Sequence, residues 1–236
     1  MYASDYRARA REMLSGKWGM AILVTLIAGI LGGLVATGGG TFDLEIKGDD
    51  LQHLPESVRA YLAYAASAAG VLGFIQFILG GTVQLGYCKY LLKLHDGEEG
   101  EMKDLFSQFD RFGDGFVLSL LTAIYVSLWS LLFIIPGIVA IYKYAMAPFI
   151  LLENPGMKPN DAITASKEMM DGNKGALFCL GFSFIGWSIL CALTLGIGTL
   201  WLNPYINASY AAFYRNLCPK LVTPEFPAEL PETTVE

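Results

Sequence analysis

Long stretches without a charged residue alternate along this chain with segments that carry both acidic and basic residues. The uncharged runs cover residues 18–41, 60–88, 116–142 and 176–214. A helix needs about 20 apolar residues to cross the roughly 30 Å hydrocarbon core of a bilayer. Each of the first two runs has room for one such helix, and the last run has room for two. The pattern therefore predicts an integral membrane protein.

The runs predict an all-α fold, a polytopic transmembrane helix bundle of about six spans. We place these spans at about 18–36, 61–86, 116–135, 137–152, 176–197 and 200–216. Residues 1–218 are expected to form a single membrane domain. Residues 219–236 are rich in proline and glutamate, a composition typical of a disordered tail.

The distribution of lysine and arginine predicts the orientation of the spans. With six crossings, 13 of the 16 basic residues fall on one side of the membrane. Cytoplasmic loops carry the excess of basic residues in membrane proteins. We therefore expect a multi-pass protein of the cell membrane, with both the N- and the C-terminus in the cytoplasm.

Composition excludes several classes of function. The chain is 54% hydrophobic and 16% charged, with a net charge of -6, which does not fit a nucleic-acid-binding protein. Its four cysteines share no C-x-x-C spacing, and the sequence lacks paired carboxylates and nucleophile or zinc-protease motifs. We predict no catalytic residues, no metal site, no cofactor and no enzymatic activity.

The segment 134–154, "IIPGIVAIYKYAMAPFILLEN", combines two prolines and a lysine with an apolar run. We expect Pro136 and Gly137 to turn a tight hairpin between the third and fourth spans. Pro148 is expected to kink the fourth span. Lys143 has two interpretations: its side chain extends to the membrane interface, or it faces the bundle and binds an anion or a lipid headgroup.

Asn203 and Asn207 are four residues apart and so lie on one face of the sixth span. One interpretation is capping and hydrogen bonding between helices. The other is a polar or lipid-headgroup site shared with Lys143. Pro204 fits the first turn of that helix.

Glycines in the first two spans predict close helix packing, since small residues let helices approach in lipid. Gly29 and Gly33 form a G-x-x-x-G pattern in the first span. The second span has further candidates at Gly70, Gly73, Gly80 and Gly81.

Three cytoplasmic segments have the character of short interfacial helices. The segments 10–21 and 166–177 align with each other, which suggests that the first two and last two spans are an internal repeat. The third, "MKDLFSQFDRFGDG" at 102–115, is predicted to be an amphipathic helix on the membrane surface. Leu105, Phe106 and Phe109 would share its apolar face with Phe112.

Four motifs in order carry a family resemblance: "LSGKWGMAILVTLI", "DLFSQFDRFGDG", "IIPGIVAIYKYAMAPFILLEN" and "AITASKEMMDGNKG". Together they resemble a bacterial family of multi-pass integral membrane proteins known only as a domain of unknown function. A fainter likeness links the chain to the membrane domain of some glycerophosphodiester phosphodiesterases. The resemblance implies location and architecture, and it transfers no catalytic or binding residue.

These patterns favour a non-catalytic membrane module that organises lipids or a protein partner. Its expected partners are membrane lipids and a membrane or cytoplasmic protein, and not nucleic acid. The alternative is a transporter or exporter subunit, favoured by the suggested repeat and by Lys143 within a span. An intramembrane enzyme is the least favoured class, because no acid, base and nucleophile cluster in the sequence.

Overall fold

The computed structural model describes residues 3–32, 55–194 and 196–218. Within these residues the chain is helical, with no strand. The end of the first predicted span and the predicted tail lie outside the described residues. The α-helices are α1 Ala3–Leu14, α2 Trp18–Gly32, α3 Glu56–His95, α4 Met102–Phe106, α5 Phe112–Leu132, α6 Ile134–Tyr144, α7 Ala147–Glu153, α8 Pro159–Met169, α9 Lys174–Phe182, α10 Ile185–Leu193 and α11 Thr199–Leu217.

Three of the described helical segments are long and apolar enough to cross a membrane: Met102–Leu132, Ile135–Glu153 and Lys174–Leu193. A fourth is possible if α1 and α2, which meet at a bend of 103°, are counted as one broken span. By length and composition, these described helices are capable of crossing a membrane. The six-span arrangement and the orientation stay predictions.

The longest helix, α3, has 40 residues and packs against α2, α4 and α5. Its glycines are where the neighbours come closest. A Cβ atom built on Gly81 would lie 2.1 Å from the carbonyl oxygen of Gly115, and one on Gly86 would lie 2.0 Å from that of Leu105. Any larger residue at these two positions therefore requires the backbones to separate.

The predicted glycine contacts are correct at only some positions. Gly80 lies against the backbone of Gly32, as expected for a packing glycine. Built Cβ atoms on Gly29, Gly70 and Gly73 meet nothing within 4 Å, so these three do not mediate the described contacts. Gly33 lies outside the described residues. The close contact in α2 is at Gly32 because this residue, rather than Gly29, faces α3.

Helices α5 and α6 form a hairpin, but the chain reverses at Phe133, which has extended backbone angles. Pro136 lies in the first turn of α6, where its missing N–H leaves no hydrogen bond unmade. Gly137 lets α6 approach α5, because a built Cβ would lie 2.8 Å from Cα of Ser130. Pro136 and Gly137 therefore lie after the turn, at the start of α6. Gly137 permits close packing of α6 on α5, and neither residue forms the turn itself.

The fourth predicted span is divided into two helices, α6 and α7, which are separated at Ala145–Met146. Pro148 lies in the first turn of α7. Proline cannot continue the hydrogen bonding of a preceding helix, so a break two residues earlier has a direct physical cause.

The segment 102–115 differs from the single amphipathic helix that its pattern predicts. It contains the five-residue α4, a 3₁₀ turn at Phe109–Arg111 and the start of α5. Leu105 is buried against α3, whereas Phe106 and Phe109 are exposed. These residues therefore do not share one face, because Gly86 lets the α4 backbone dock directly on α3. The placement of this segment at the membrane surface stays a prediction.

The two aligned segments share one local conformation. Gly16, after α1, has φ of 76°, and Gly172, after α8, has φ of 78°. This left-handed conformation commonly ends a helix and favours glycine. In both places a new helix begins two residues later, at Trp18 and Lys174. A repeat of whole spans stays a prediction.

Buried residues concentrate where α1, α7, the carboxyl-terminal part of α3 and that of α11 meet. Tyr90, Phe213 and Tyr214 are the largest aromatic residues there. The α5–α6 hairpin and the end of α10 are instead exposed, with Leu131 at 87% and Leu193 at 77%. Soluble proteins rarely leave such extended apolar surfaces in water. The exposed apolar surface fits contact with lipid.

Candidate functional site: an aromatic cleft and a buried ion-pair cluster

A cavity of about 380 Å³ lies where α1 and α2 meet α10 and α11. We call it the aromatic cleft. Its walls include three of the four tryptophans of the chain, Trp18, Trp187 and Trp201. The other lining residues are Arg11, Leu190, Cys191, Thr194, Gly198, Leu202 and Tyr205. Its volume lies within the range of small-molecule binding sites.

Residues of α10 and α11 and of the turn between them form most of the cleft walls. On α11 its walls extend from Tyr205 to Gly198, seven residues or roughly 10 Å along the helix axis. At the Tyr205 end the ring packs edge-on against Phe184, with centroids 5.2 Å apart. At the other end Gly198 admits the side chain of Cys191, since a built Cβ would lie 2.6 Å from its Sγ. The result is an elongated apolar space.

One side of the cleft is open. Trp187 and Trp201 remain about half exposed, at 52% and 51%, and Leu190 is also exposed. Helices of a membrane protein expose such surfaces to lipid chains rather than to water. An apolar molecule could therefore enter the cleft from the side.

The charged end of the cleft is formed by α1. Arg7 and Arg11 are four residues apart and so share one face of this helix, which we call the arginine face. Arg11 lines the cleft together with Tyr205, and Arg7 is one helical turn before Arg11 on the same face of α1. No carboxylate of the described residues forms an ion pair with either arginine, and the Nε of Arg7 is buried without a described hydrogen-bond partner. In contrast, Arg9 pairs with Glu12 at 3.5 Å, and both side chains are exposed.

A second cluster, which we call the Arg215 clamp, joins three helix ends. Arg215 of α11 donates from Nε and Nη2 to the two oxygens of Asp96, at 3.1 and 2.9 Å. It also donates from Nη1 to Glu153 at the end of α7. The hydroxyl of Tyr214 donates to the other oxygen of Glu153 at 2.6 Å. Arg215 is buried, so the clamp holds α3, α7 and α11 together by charge-assisted hydrogen bonds.

His95 lies beside the clamp at the end of α3. Its Nδ1 is 3.5 Å from the nearest oxygen of Asp96, which is too long for a hydrogen bond. Burial lowers the pKa of His95 below its ordinary value of 6.5, although the Asp96 carboxylate opposes the shift. The fold therefore favours the neutral imidazole.

Comparison with protein families matches the family described as "Protein of unknown function (DUF975)" over residues 1–143 and 133–220. The chain belongs to this family. The match confirms the expected membership of a family of unknown function, while the likeness to glycerophosphodiester phosphodiesterases stays a prediction. A search of curated proteins found no significant match. A search of solved structures found none either.

The structure of this DUF975 family member places the candidate polar residues in different surroundings. The Nζ of Lys143 lies 5.7 Å from the ring centroid of Trp129, and its backbone carbonyl accepts a hydrogen bond from Ser166. Asn207 is buried, donates to the carbonyl of Asn203 at 2.9 Å and faces the hydroxyl of Tyr87 on α3. No described hydrogen bond or ion pair joins Lys143 to either asparagine. A headgroup-binding role for these residues stays a prediction.

Sequence reasoning missed both the aromatic cleft and the Arg215 clamp. The sequence shows the i, i+4 spacing of Arg7 and Arg11, but sequence reasoning assigns them no site of their own. Nothing local connects Arg215 with Asp96, which is 119 residues away. In the described residues no group of three or more His, Cys, Asp or Glu side chains is arranged to hold a metal ion.

Proposed function

We propose that this protein is a non-catalytic membrane module that organises lipids by holding an amphiphile in the aromatic cleft. The observation that carries the proposal is an elongated apolar cavity with an open side and an arginine at one end. An acyl chain fits the apolar walls, and the polar end of the molecule would lie toward α1. Tryptophan is common at the depth where lipid headgroups meet acyl chains.

The proposal includes the cell membrane as location, several crossings, and termini in the cytoplasm. Its support is the three helices of suitable length and hydropathy and the excess of basic residues on one predicted side. In that orientation α1 lies at the cytoplasmic interface, at the level of the headgroups. Fusion of a reporter that is active only in the cytoplasm to each terminus tests this orientation.

Shape rather than hydrophobicity must account for retention in the cleft. A lipid that moves from the bilayer into the cleft exchanges one apolar environment for another, so it gains little hydrophobic free energy. The gain comes from van der Waals contacts with fixed aromatic rings and from polar contacts at the end of the chain. Loss of two rings should therefore reduce retention strongly.

Native mass spectrometry of the protein in mild detergent tests the proposal. Wild type should keep a bound amphiphile, and the double variant Trp187→Ala/Trp201→Ala should lose it. The matched control is Trp129→Ala, which removes the tryptophan outside the cleft. Equal retention by all three proteins, or no bound amphiphile on wild type, would show that the cleft does not hold lipid.

A further inference from the structure

We infer that the arginine face selects an amphiphile with an anionic, phosphate-bearing headgroup. The inference rests on the proposed function, because it assigns the headgroup class of the molecule held in the aromatic cleft. Arg7 and Arg11 would bind the phosphate, and the acyl chain would extend along α11 toward Gly198.

The first argument is charge. Two guanidinium groups lie on one face of α1, and no carboxylate of the described residues pairs with them. The other basic residues of α1 and of the bend that follows it have partners. Arg9 pairs with Glu12, and Lys17 donates to the carbonyl of Glu98 at 3.1 Å. The arginine face is thus an uncompensated positive site at one end of an apolar cavity.

The second argument is the unmet hydrogen-bonding capacity of Arg7. Its Nε is buried and has no hydrogen-bond partner among the described residues. Buried donors without partners are rare because leaving them unpaired is costly. A phosphate oxygen would satisfy this donor, and the planar guanidinium group matches the geometry of phosphate.

The third argument is selectivity within the bilayer. All lipid chains are similarly apolar, so the walls of the aromatic cleft discriminate poorly between lipids that differ only in their headgroup. The arginine face provides the difference, since it attracts a net negative headgroup more strongly than a zwitterionic one. The same phosphate chemistry could come from a membrane phospholipid or from a soluble phosphate ester, and we assign the membrane source because the cleft is apolar and open at the side.

Fluorescence quenching tests the inference. In a Trp129→Phe background all remaining tryptophans line the aromatic cleft. Brominated acyl chains quench tryptophan on contact. The protein in detergent is titrated with phosphatidylglycerol and with phosphatidylcholine that carry the same dibrominated chains. We expect quenching by both lipids, with roughly tenfold lower concentration for half-maximal quenching by phosphatidylglycerol.

Variants that remove a positive charge then test whether the arginine face causes the preference for phosphatidylglycerol. Arg7→Gln/Arg11→Gln should bring the two lipids to within roughly twofold of each other, while Arg9→Gln should keep the full preference. Quenching of the double variant by phosphatidylcholine shows that its cleft is still formed. If the double variant keeps the preference, or if the parent Trp129→Phe protein has none, the headgroup assignment is wrong and the proposed function still stands. If neither lipid quenches the Trp129→Phe protein, the proposed function itself fails.

A competition arm separates the two sources of phosphate. Glycerol phosphate, which has the headgroup chemistry without the chains, should leave the quenching unchanged. Its displacement of brominated phosphatidylglycerol at millimolar concentration would overturn the assignment to a lipid and indicate a soluble phosphate ester instead.

Discussion

Replacement of Arg215 by methionine removes the centre of the Arg215 clamp and leaves two carboxylates without their cation. Arg215 is 7% exposed, so methionine fills a similar space but provides no charge. Removing one partner of a buried ion pair costs about 3–5 kcal/mol. The side chains of Asp96 and Glu153 are 16% and 25% exposed, so water can partly stabilise their charges. We therefore expect the lower limit, about 3 kcal/mol.

In a chain of this length each kcal/mol corresponds to roughly 2–4 °C of melting temperature. Arg215→Met should thus lower the melting temperature in detergent by about 6–12 °C. The control is Arg9→Gln, which breaks an exposed ion pair of about 0–1 kcal/mol. Asp96→Asn in both backgrounds completes a double-mutant cycle, in which the two losses should be less than additive. A shift for Arg215→Met no larger than that of the control would refute this account of the clamp.

Three further predictions concern packing, protonation and backbone conformation. Gly86→Ala should lower the yield of folded protein in size-exclusion chromatography, because its Cβ would collide with a backbone carbonyl, whereas Gly73→Ala should not. The pKa of His95 is lowered in the fold, so the unfolded chain takes up the proton first as the pH falls. Thermal stability should therefore decline as the pH drops below 6.5, and His95→Gln should reduce this decline. Gly172→Ala should cost about 1–2 kcal/mol in thermal unfolding, because its φ is positive; a loss near zero would contradict the left-handed conformation.

Helix positions could be predicted well from the charge-free runs. The third and fourth predicted spans, 116–135 and 137–152, correspond to α5 and to α6 with α7. The reversal between them lies at Phe133 rather than at Pro136, because proline in the first turn of a helix costs no hydrogen bond. Sequence patterns thus locate a break to within a few residues, while the hydrogen-bonding geometry fixes the position itself.

Contacts between distant segments could not be predicted in the same way. The aromatic cleft brings Arg11 and Trp18 together with residues almost 200 positions later, and no local periodicity encodes that meeting. The same holds for Gly86, whose importance depends on the carbonyl of Leu105 on another helix. A single sequence shows which residues are small or charged. Which distant residue each of them contacts is determined by tertiary packing.

The length of α3 has a mechanical consequence. Its 40 residues extend for about 60 Å, roughly twice the hydrocarbon thickness of a bilayer. The helix is held at its Asp96 end by the Arg215 clamp, while residues near Glu56 are exposed. The close contacts at Gly80, Gly81 and Gly86 also hold this half of the helix, so only the part before Gly80 is an unsupported arm. A bend of about 10° at Gly80 would displace the Glu56 end, about 36 Å away, by roughly 6 Å.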